Sequence, residues 1–185
     1  MPDCLLNVNP SLLAGGVIIR RLRDVDPCAV GQATEVLQVA HRRPDGSLAP
    51  RFEHGRLFDE LYDSVHAQRP GQARFFVALD TATNRVVGVA GYRQAWCSAF
   101  GWELSYAGVH PDWQGRGIGQ AMIVARLRSI QGEGSEGDFV LVRAARPATF
   151  RRMGFSPCMG DPHLLVGKVG AIALSQHPAG ASVPP

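Results

Sequence analysis

Three glycines at alternate positions, Gly115, Gly117 and Gly119, lie in the run Val109-His110-Pro111-Asp112-Trp113-Gln114-Gly115-Arg116-Gly117-Ile118-Gly119-Gln120-Ala121-Met122. A strand-like stretch, Trp102 to Val109, leads into the run, and an apolar helix-like stretch, Ile118 to Ile130, leads out. The first N–H groups of a helix have no internal partner and carry the positive end of its dipole. Glycines let a bulky anion come close to them. The junction therefore reads as a cradle for a phosphate or pyrophosphate. Two other phosphate loops do not fit. A Walker loop needs Lys after its last glycine, and Gly119 is followed by Gln120. A dinucleotide fingerprint needs a third glycine where the chain has Gln120, counting from Gly115, or Met122, counting from Gly117. A glycine-rich turn without a ligand is the remaining reading.

Composition narrows the partners. The chain has 185 residues, 45% apolar and 19% charged, with a net charge of +3. That is ordinary for a soluble globular protein with one real core. No polybasic run argues for nucleic acid or a membrane surface, while mild positive charge suits an anionic ligand. Cys4, Cys28, Cys97 and Cys158 form no CxxC pair and no Cys/His metal spacing. Reduced structural thiols in a cytoplasmic protein, with no metal, are expected. Met1 to Gly16 has no basic n-region, and no apolar run is long enough to span a bilayer.

The elements that position the junction follow from periodicity. Val17 to Arg23 reads as a strand, and Asp24 or Asp26 as the cap of a helix over Ala29 to His41. Pro44, Asp45-Gly46 and Pro50 mark a turn, and Leu57, Leu61 and Val65 set a second helix over 53–67. Arg74–Asp80 and Val86–Arg93 form a hairpin, and Phe100 to Val109 the next strand. The helix over 118–130, apolar on nearly every side, should be covered by protein. Phe139 to Val142 is then a strand parallel to 102–109, because a helix carries the chain back. A short helix over 147–153 ends at Gly154, and His163 to Lys168 closes the sheet. The division expected is a loose arm over 1–16, one domain over 17–168 and a flexible tail over 169–185. The fold class is α+β, an α/β mixed sheet, mostly antiparallel, flanked by helices, with one splayed parallel strand pair.

Gln114-Gly115-Arg116-Gly117-Ile118-Gly119 matches Q/R-x-x-G-x-G/A, follows a strand ending Val109-His110-Pro111, and opens an apolar helix. Met153-Gly154-Phe155 follows a later strand and short helix. Together these resemble the GNAT superfamily of acetyl-CoA-dependent N-acetyltransferases. The order of elements agrees over 17–168, the residues over 102–122 and, less closely, 147–155. The resemblance implies that the main chain of Gln114, Gly115, Arg116, Gly117, Ile118, Gly119 and Gln120 holds the coenzyme A pyrophosphate. It implies that Ala107, Gly108 and Val109 offer their main-chain groups to the pantetheine arm, in a gap between strands 102–109 and 139–144. Arg116 either adds charge near a phosphate or is a solvated loop arginine.

In such an enzyme an amine attacks the acetyl thioester directly, in a ternary complex. The Val109 N–H, or a neighbour on that strand, faces the oxyanion. Glu103 is the candidate base and matches a catalytic glutamate of some members; a structural or substrate-orienting carboxylate is the other reading. Alternation places Glu103, Ser105 and Ala107 on one face, and Trp102, Leu104 and Tyr106 on the other. Apolar walls on both sides of Glu103 would suit it to accept a proton from an ammonium. His110 is the second candidate, at a strand end where a loop role is more common. The chain departs from the family where many relatives carry an acid tyrosine: that position is Phe150, with Arg143 and Arg146 in place of the preceding Asn and Ala. Phe150 is expected to pack against the thioethyl end of the cofactor. Proton delivery then falls to water, to Tyr106 or to Ser156, or is not needed.

The resemblance places the acceptor pocket at about His41 to Phe58, with Trp96, Phe100 and Trp102 as aromatic walls or as core. Asp45, Glu53, Asp59 and Glu60 either receive a cationic amine or form a solvated face. A small-molecule amine is the first expectation for the acceptor, a protein N-terminus or lysine the second. A homodimer stays open. Two other functions remain: a catalytically weak or inactive acyl-CoA-binding regulatory module, and a domain whose cradle holds another nucleotide-like anion.

Overall fold

Runs of β-branched and aromatic residues bounded by turn residues make the strands, and the computed structural model describes residues 16–66 and 71–174. The strands are β1 (Val17–Arg21), β2 (Arg74–Asp80), β3 (Val86–Gln94), β4 (Gly101–Val109), β5 (Phe139–Arg143), β6 (Ser156–Cys158) and β7 (Asp161–Lys168). The helices are α1 (Ala29–His41), α2 (His54–His66), α3 (Ile118–Glu133) and α4 (Pro147–Arg151). One seven-stranded sheet runs in the order β1-β2-β3-β4-β5-β7-β6. β4 and β5 are parallel and the other neighbours antiparallel. This is the expected mixed sheet. β6, three residues containing Pro157, was too short to carry a period.

The parallel pair is brief. It joins Gly101 to Phe139 and ends at Leu104 with Val142, while β4 continues to Val109. From Ser105 onward β4 has only β3 beside it, and the sheet forks.

β4 also carries a bulge. Val89 faces Gly108 and Gly91 faces Ser105, so β4 spends one residue more than β3 over that interval. Tyr106 absorbs it with φ of 48°, a strained left-handed conformation for a bulky residue. The extra residue reverses which face each later side chain meets. Simple alternation is therefore corrected here. Trp102 and Leu104 pack with Phe76, Tyr92 and Val140 in the core that includes Leu127 and Ile130 of α3. Tyr106 instead joins Phe52, Phe75 and Val89 in the core beneath α1 and α2. Val109 packs with Ile118 and Met122 of α3, so Ala107, one alternation from it, leaves the face it was expected to share with Glu103 and Ser105.

Several boundaries shift: β1 stops at Arg21, α3 runs on to Glu133, α4 stops at Arg151 and β7 begins at Asp161. The N-cap of α1 is Cys28, and Asp26 accepts the Cys28 N–H at 2.8 Å rather than capping the helix itself. Residues 169–174 do not belong to a loose tail, because Val169 and Ile172 are buried in the α3-side core. The arm expected before Gly16 and the tail from Ser175 lie outside the described residues. Among the described residues, no helix is long and apolar enough to cross a membrane. Among the same residues, no group of three His, Cys, Asp or Glu is placed to hold a metal.

Candidate functional site

After Val109 the chain makes a 3-10 turn, Pro111–Trp113, and reaches α3 through Gly115 and Gly117. Both glycines have φ of 78°, and a Cβ on either would meet nothing within 4 Å. The conformation requires glycine, and the space in front is open. Gly117 is the N-cap, and the Ala121 N–H donates to its carbonyl at 3.0 Å. The N–H groups just before Ala121 are thus free helix-end donors. Gln114 to Gly117, Gly119 and Gln120 are exposed, while Ile118 is buried and anchors the turn. An anion has access to this row of amides.

Side chains trim the cradle. The Arg116 guanidinium lies 4.5 Å from the Trp113 ring centre and donates to the Asp112 carbonyl at 3.2 Å. Gln114 Nε2 donates to the Val109 carbonyl at 3.1 Å. His110 Nδ1 accepts the Asp112 N–H at 3.4 Å, a capping contact that occupies one of its ring nitrogens.

The free edge of β4 adjoins the cradle. The His110 N–H donates to the Val87 carbonyl at 2.9 Å, toward β3. Antiparallel alternation then turns the Val109 N–H and C=O away from β3, into the fork. α1 lies against this strand: a Cβ on Gly108 would come within 2.8 Å of Ala40 Cβ and 3.2 Å of Leu37 Cδ2. His41, the last residue of α1, places Nε2 3.0 Å from the Ala107 carbonyl and stacks on Phe52 at 3.9 Å. Burial of the ring, aided by the Arg51 charge, holds its pKa below the usual imidazole value. A neutral ring with its proton on Nε2 donates to Ala107.

On the α1–α2 side of β4 the polar groups are paired. Arg93 donates to Glu103 from Nε at 3.0 Å and from a terminal nitrogen at 2.9 Å. Glu103 is thus half-exposed beside a guanidinium, not enclosed by apolar walls as the sequence suggested. The Tyr106 hydroxyl donates to Glu60 at 2.6 Å. Burial, then the Glu60 carboxylate, push its pKa up to about 12, which argues against Tyr106 as a proton donor. The Phe52 and Tyr106 rings meet edge-on at 6.0 Å, and Arg51 covers Phe52 at 4.9 Å.

The expected tryptophan walls are elsewhere. Trp96 and Phe100, 89% and 70% exposed, lie in the β3–β4 loop, at the end of β4 opposite Val109. Trp102 is buried in the α3-side core, where Nε1 donates to Asp138 at 3.1 Å. Phe52 and Tyr106 form the aromatic surface near the β4 edge instead. Phe150 is 7% exposed and meets Phe155 edge-on at 5.4 Å, in the core cluster of Leu104 and Val142. Ser156 is exposed at the start of β6.

Arg93 and Arg126 were not picked out from the sequence, and His41 entered only as the first residue of the expected acceptor segment, with no role of its own. For Arg126 a signal existed. Met122, Arg126 and Ile130 recur every four positions on α3, and all three are buried.

Residues 71–157 match the sequence model of the Acetyltransferase (GNAT) domain. Among solved structures, the chain is similar to a GNAT family acetyltransferase from Brucella melitensis in complex with acetyl-CoA, at 18% identity and a TM-score of 0.60, over 84% of this chain and 89% of that one. It is also similar to the GNAT family N-acetyltransferase YhbS from Escherichia coli in complex with CoA, at 16% identity and a TM-score of 0.56, covering 84% and 83% of the two chains. A third similar structure is the PaiA N-acetyltransferase from Thermoplasma acidophilum in complex with coenzyme A, at 14% identity and a TM-score of 0.56, covering 81% and 96%. At these identities the likeness concerns the fold. No match is found among curated proteins.

Proposed function

Residues 71–157 are a GNAT acetyltransferase domain, and from that premise we propose that the protein transfers the acetyl group of acetyl-CoA to a primary amine, by direct attack in a ternary complex. A small-molecule amine is favoured over a protein amine. The whole of 17–174 acts as one catalytic domain. The observation that carries this reading is the open row of main-chain N–H groups at the start of α3, adjoining a forked sheet edge. That acetyl-CoA or CoA occupies similar folds supports it.

The amides of 114–120 take the pyrophosphate. The pantetheine arm lies along Ala107, Gly108 and Val109, where Gln114 and His41 now hold two carbonyls and give way to it. Phe150, in the core cluster of Leu104 and Val142, backs the sulfur end with a ring and no hydroxyl. The amine arrives from the α1–α2 side, past Phe52 and Tyr106, where Glu60 and Glu103 favour a cation. Glu103, oriented by Arg93, takes one ammonium proton, directly or through water. The amine nitrogen bonds to the acetyl carbon, and the Val109 N–H receives the oxyanion. The C–S bond then breaks, and the nitrogen loses its second proton to water. Juxtaposition alone supplies much of the rate, since effective molarities reach on the order of 10⁵ M. Unpaired Cys28, Cys97 and Cys158 suit a cytoplasmic setting.

Calorimetry with coenzyme A, followed by thiol release from acetyl-CoA across an amine panel, tests the proposal. Micromolar-range binding and amine-dependent release are expected. Binding without release from any amine would leave a regulatory acyl-CoA-binding module. Absence of binding would remove the reading.

A further inference from the structure

Acetyl transfer frees two protons from the ammonium. Glu103 takes one, and water is the default acceptor of the other, but a titratable side chain stands beside the place where it is released. The His110 N–H donates to Val87, so two residues earlier Gly108, opposite Val89, also turns its N–H and C=O toward β3. N–H and C=O point opposite ways across each trans peptide plane. The Ala107 C=O and the Val109 N–H therefore point together into the fork. Only Gly108 lies between them, which sets them about 5 Å apart along an extended chain. His41 covers this stretch of edge. Its Nε2 is 3.0 Å from the Ala107 carbonyl oxygen, and a Cβ on Gly108 would come within 3.8 Å of its Cδ2. Glu103 pairs with Leu141, six positions before Val109. His110 already uses Nδ1 on the Asp112 N–H.

The ring is in the form a base needs. Burial, then Arg51, favour the neutral imidazole at neutral pH. Among the described residues Nδ1 has no hydrogen-bond partner, so a lone pair is available. The 3-10 turn Pro50–Phe52 faces the ring with Phe52 and brings Arg51, and β4 faces it with Ala107. Tyr106 of β4 and Glu60 of α2 are bonded to each other beyond Phe52. This step rests on the acetyl-transfer reading, in which the pantetheine arm claims the Ala107 carbonyl and the Val109 N–H holds the acetyl oxygen. We propose that His41, released from Ala107 as the cofactor binds, is the catalytic base that takes the second proton. Once bonded to the acetyl carbon, the amine nitrogen carries a positive charge and an N–H proton. That proton passes to a ring nitrogen of His41, and the N–H electron pair stays on the amine nitrogen. The oxyanion re-forms the C=O, and the C–S bond breaks with its electron pair on sulfur, which takes a proton from water. The imidazolium, half-buried and within reach of solvent, then gives its proton up.

The test is kcat against pH, with acetyl-CoA and the amine of the panel that releases thiol fastest. Wild-type kcat should fall on an acid limb below about pH 6.5, as the ring gains the proton that blocks it. His41→Gln can still donate to Ala107 but takes no proton. Its kcat at neutral pH should be at least about tenfold lower and the limb should vanish, with acetyl-CoA KM and desulfo-coenzyme A affinity held within about threefold. Added imidazole should raise the kcat of His41→Ala at least about threefold, a rescue that a residue merely holding the strand would not show. A wild-type kcat that stays level from pH 7 to pH 5 would overturn the inference, whether or not the variants fold. So would an unchanged kcat in folded His41→Gln, or a folded His41→Ala indifferent to imidazole. Wild-type protein that binds no coenzyme A, or binds it and releases thiol with no amine, would instead overturn the acetyl-transfer reading, and this inference with it.

Discussion

His41 Nε2 lies 3.0 Å from the Ala107 carbonyl oxygen, so the last residue of α1 grips the free edge of β4 across 66 positions of sequence. The contact stands beside the packing of Ala40 and Leu37 of α1 against Gly108. It fixes how the strand edge is presented to anything entering the fork.

That contact gives the protein a pH dependence. The His41 pKa is lowered in the folded state, chiefly by burial. Between the folded value and the unfolded value of about 6.5, the unfolded chain binds more protons, so stability falls as pH falls through that window. Above the window the contribution is complete. The wild-type Tm should therefore drop relative to that of His41→Gln between pH 7 and pH 5. Parallel curves for the two proteins would show that the ring titrates alike in both states.

Gly117→Ala tests the cradle. The position has φ of 78° and open space before it, so the methyl group clashes with nothing and the cost is backbone strain. Stability should fall by about 1–2 kcal/mol. The methyl also occupies the space a phosphate would use, so coenzyme A affinity should drop at least about tenfold in calorimetry, more than the strain explains in a protein that remains folded. Unchanged affinity would move the anion site away from α3.

Glu103→Gln separates catalysis from structure. The carboxylate and its Arg93 partner are both about one-third exposed, so losing the pair should cost no more than about 1 kcal/mol of stability. Turnover should fall about 10²-fold or more, with acetyl-CoA KM little changed. The deficit should be largest where the amine is still an ammonium and should shrink as the amine loses its proton in solution. An unaltered pH–rate profile would reduce Glu103 to a substrate-orienting carboxylate.

Six of the seven described strands and the four helices were readable from local patterns, as with Leu57 and Leu61 in α2 or the valines of β3, and the parallel pair from the helix that carries the chain back between its strands. The glycine turn into α3 was readable because glycine at φ of 78° leaves a mark in sequence. The bulge left none: Tyr106 adopts φ of 48° with an ordinary side chain, and one unseen extra residue reversed the face assigned to Tyr106 and Ala107. Trp96 and Phe100 misled for the opposite reason. Aromatic type suggests burial, whereas their position at the far hairpin end is set by pairings distant in sequence. His41 and Arg93 gained their roles from partners 66 and 10 positions away, which no window around either residue shows.

Phe150→Tyr restores a hydroxyl where this chain has a bare ring. The ring is 7% exposed against Phe155, so a hydroxyl left without a partner costs about 1–3 kcal/mol, and a smaller drop means that it reaches the fork or a water. Coenzyme A affinity should persist, because the pyrophosphate amides are untouched. If the hydroxyl reaches the sulfur, it supplies a proton to the leaving group, and kcat should rise at least about threefold with acetyl-CoA KM little changed. An unchanged kcat, with the hydroxyl placed at the fork by a structure of the variant, would show that protonation of the departing thiol does not limit turnover.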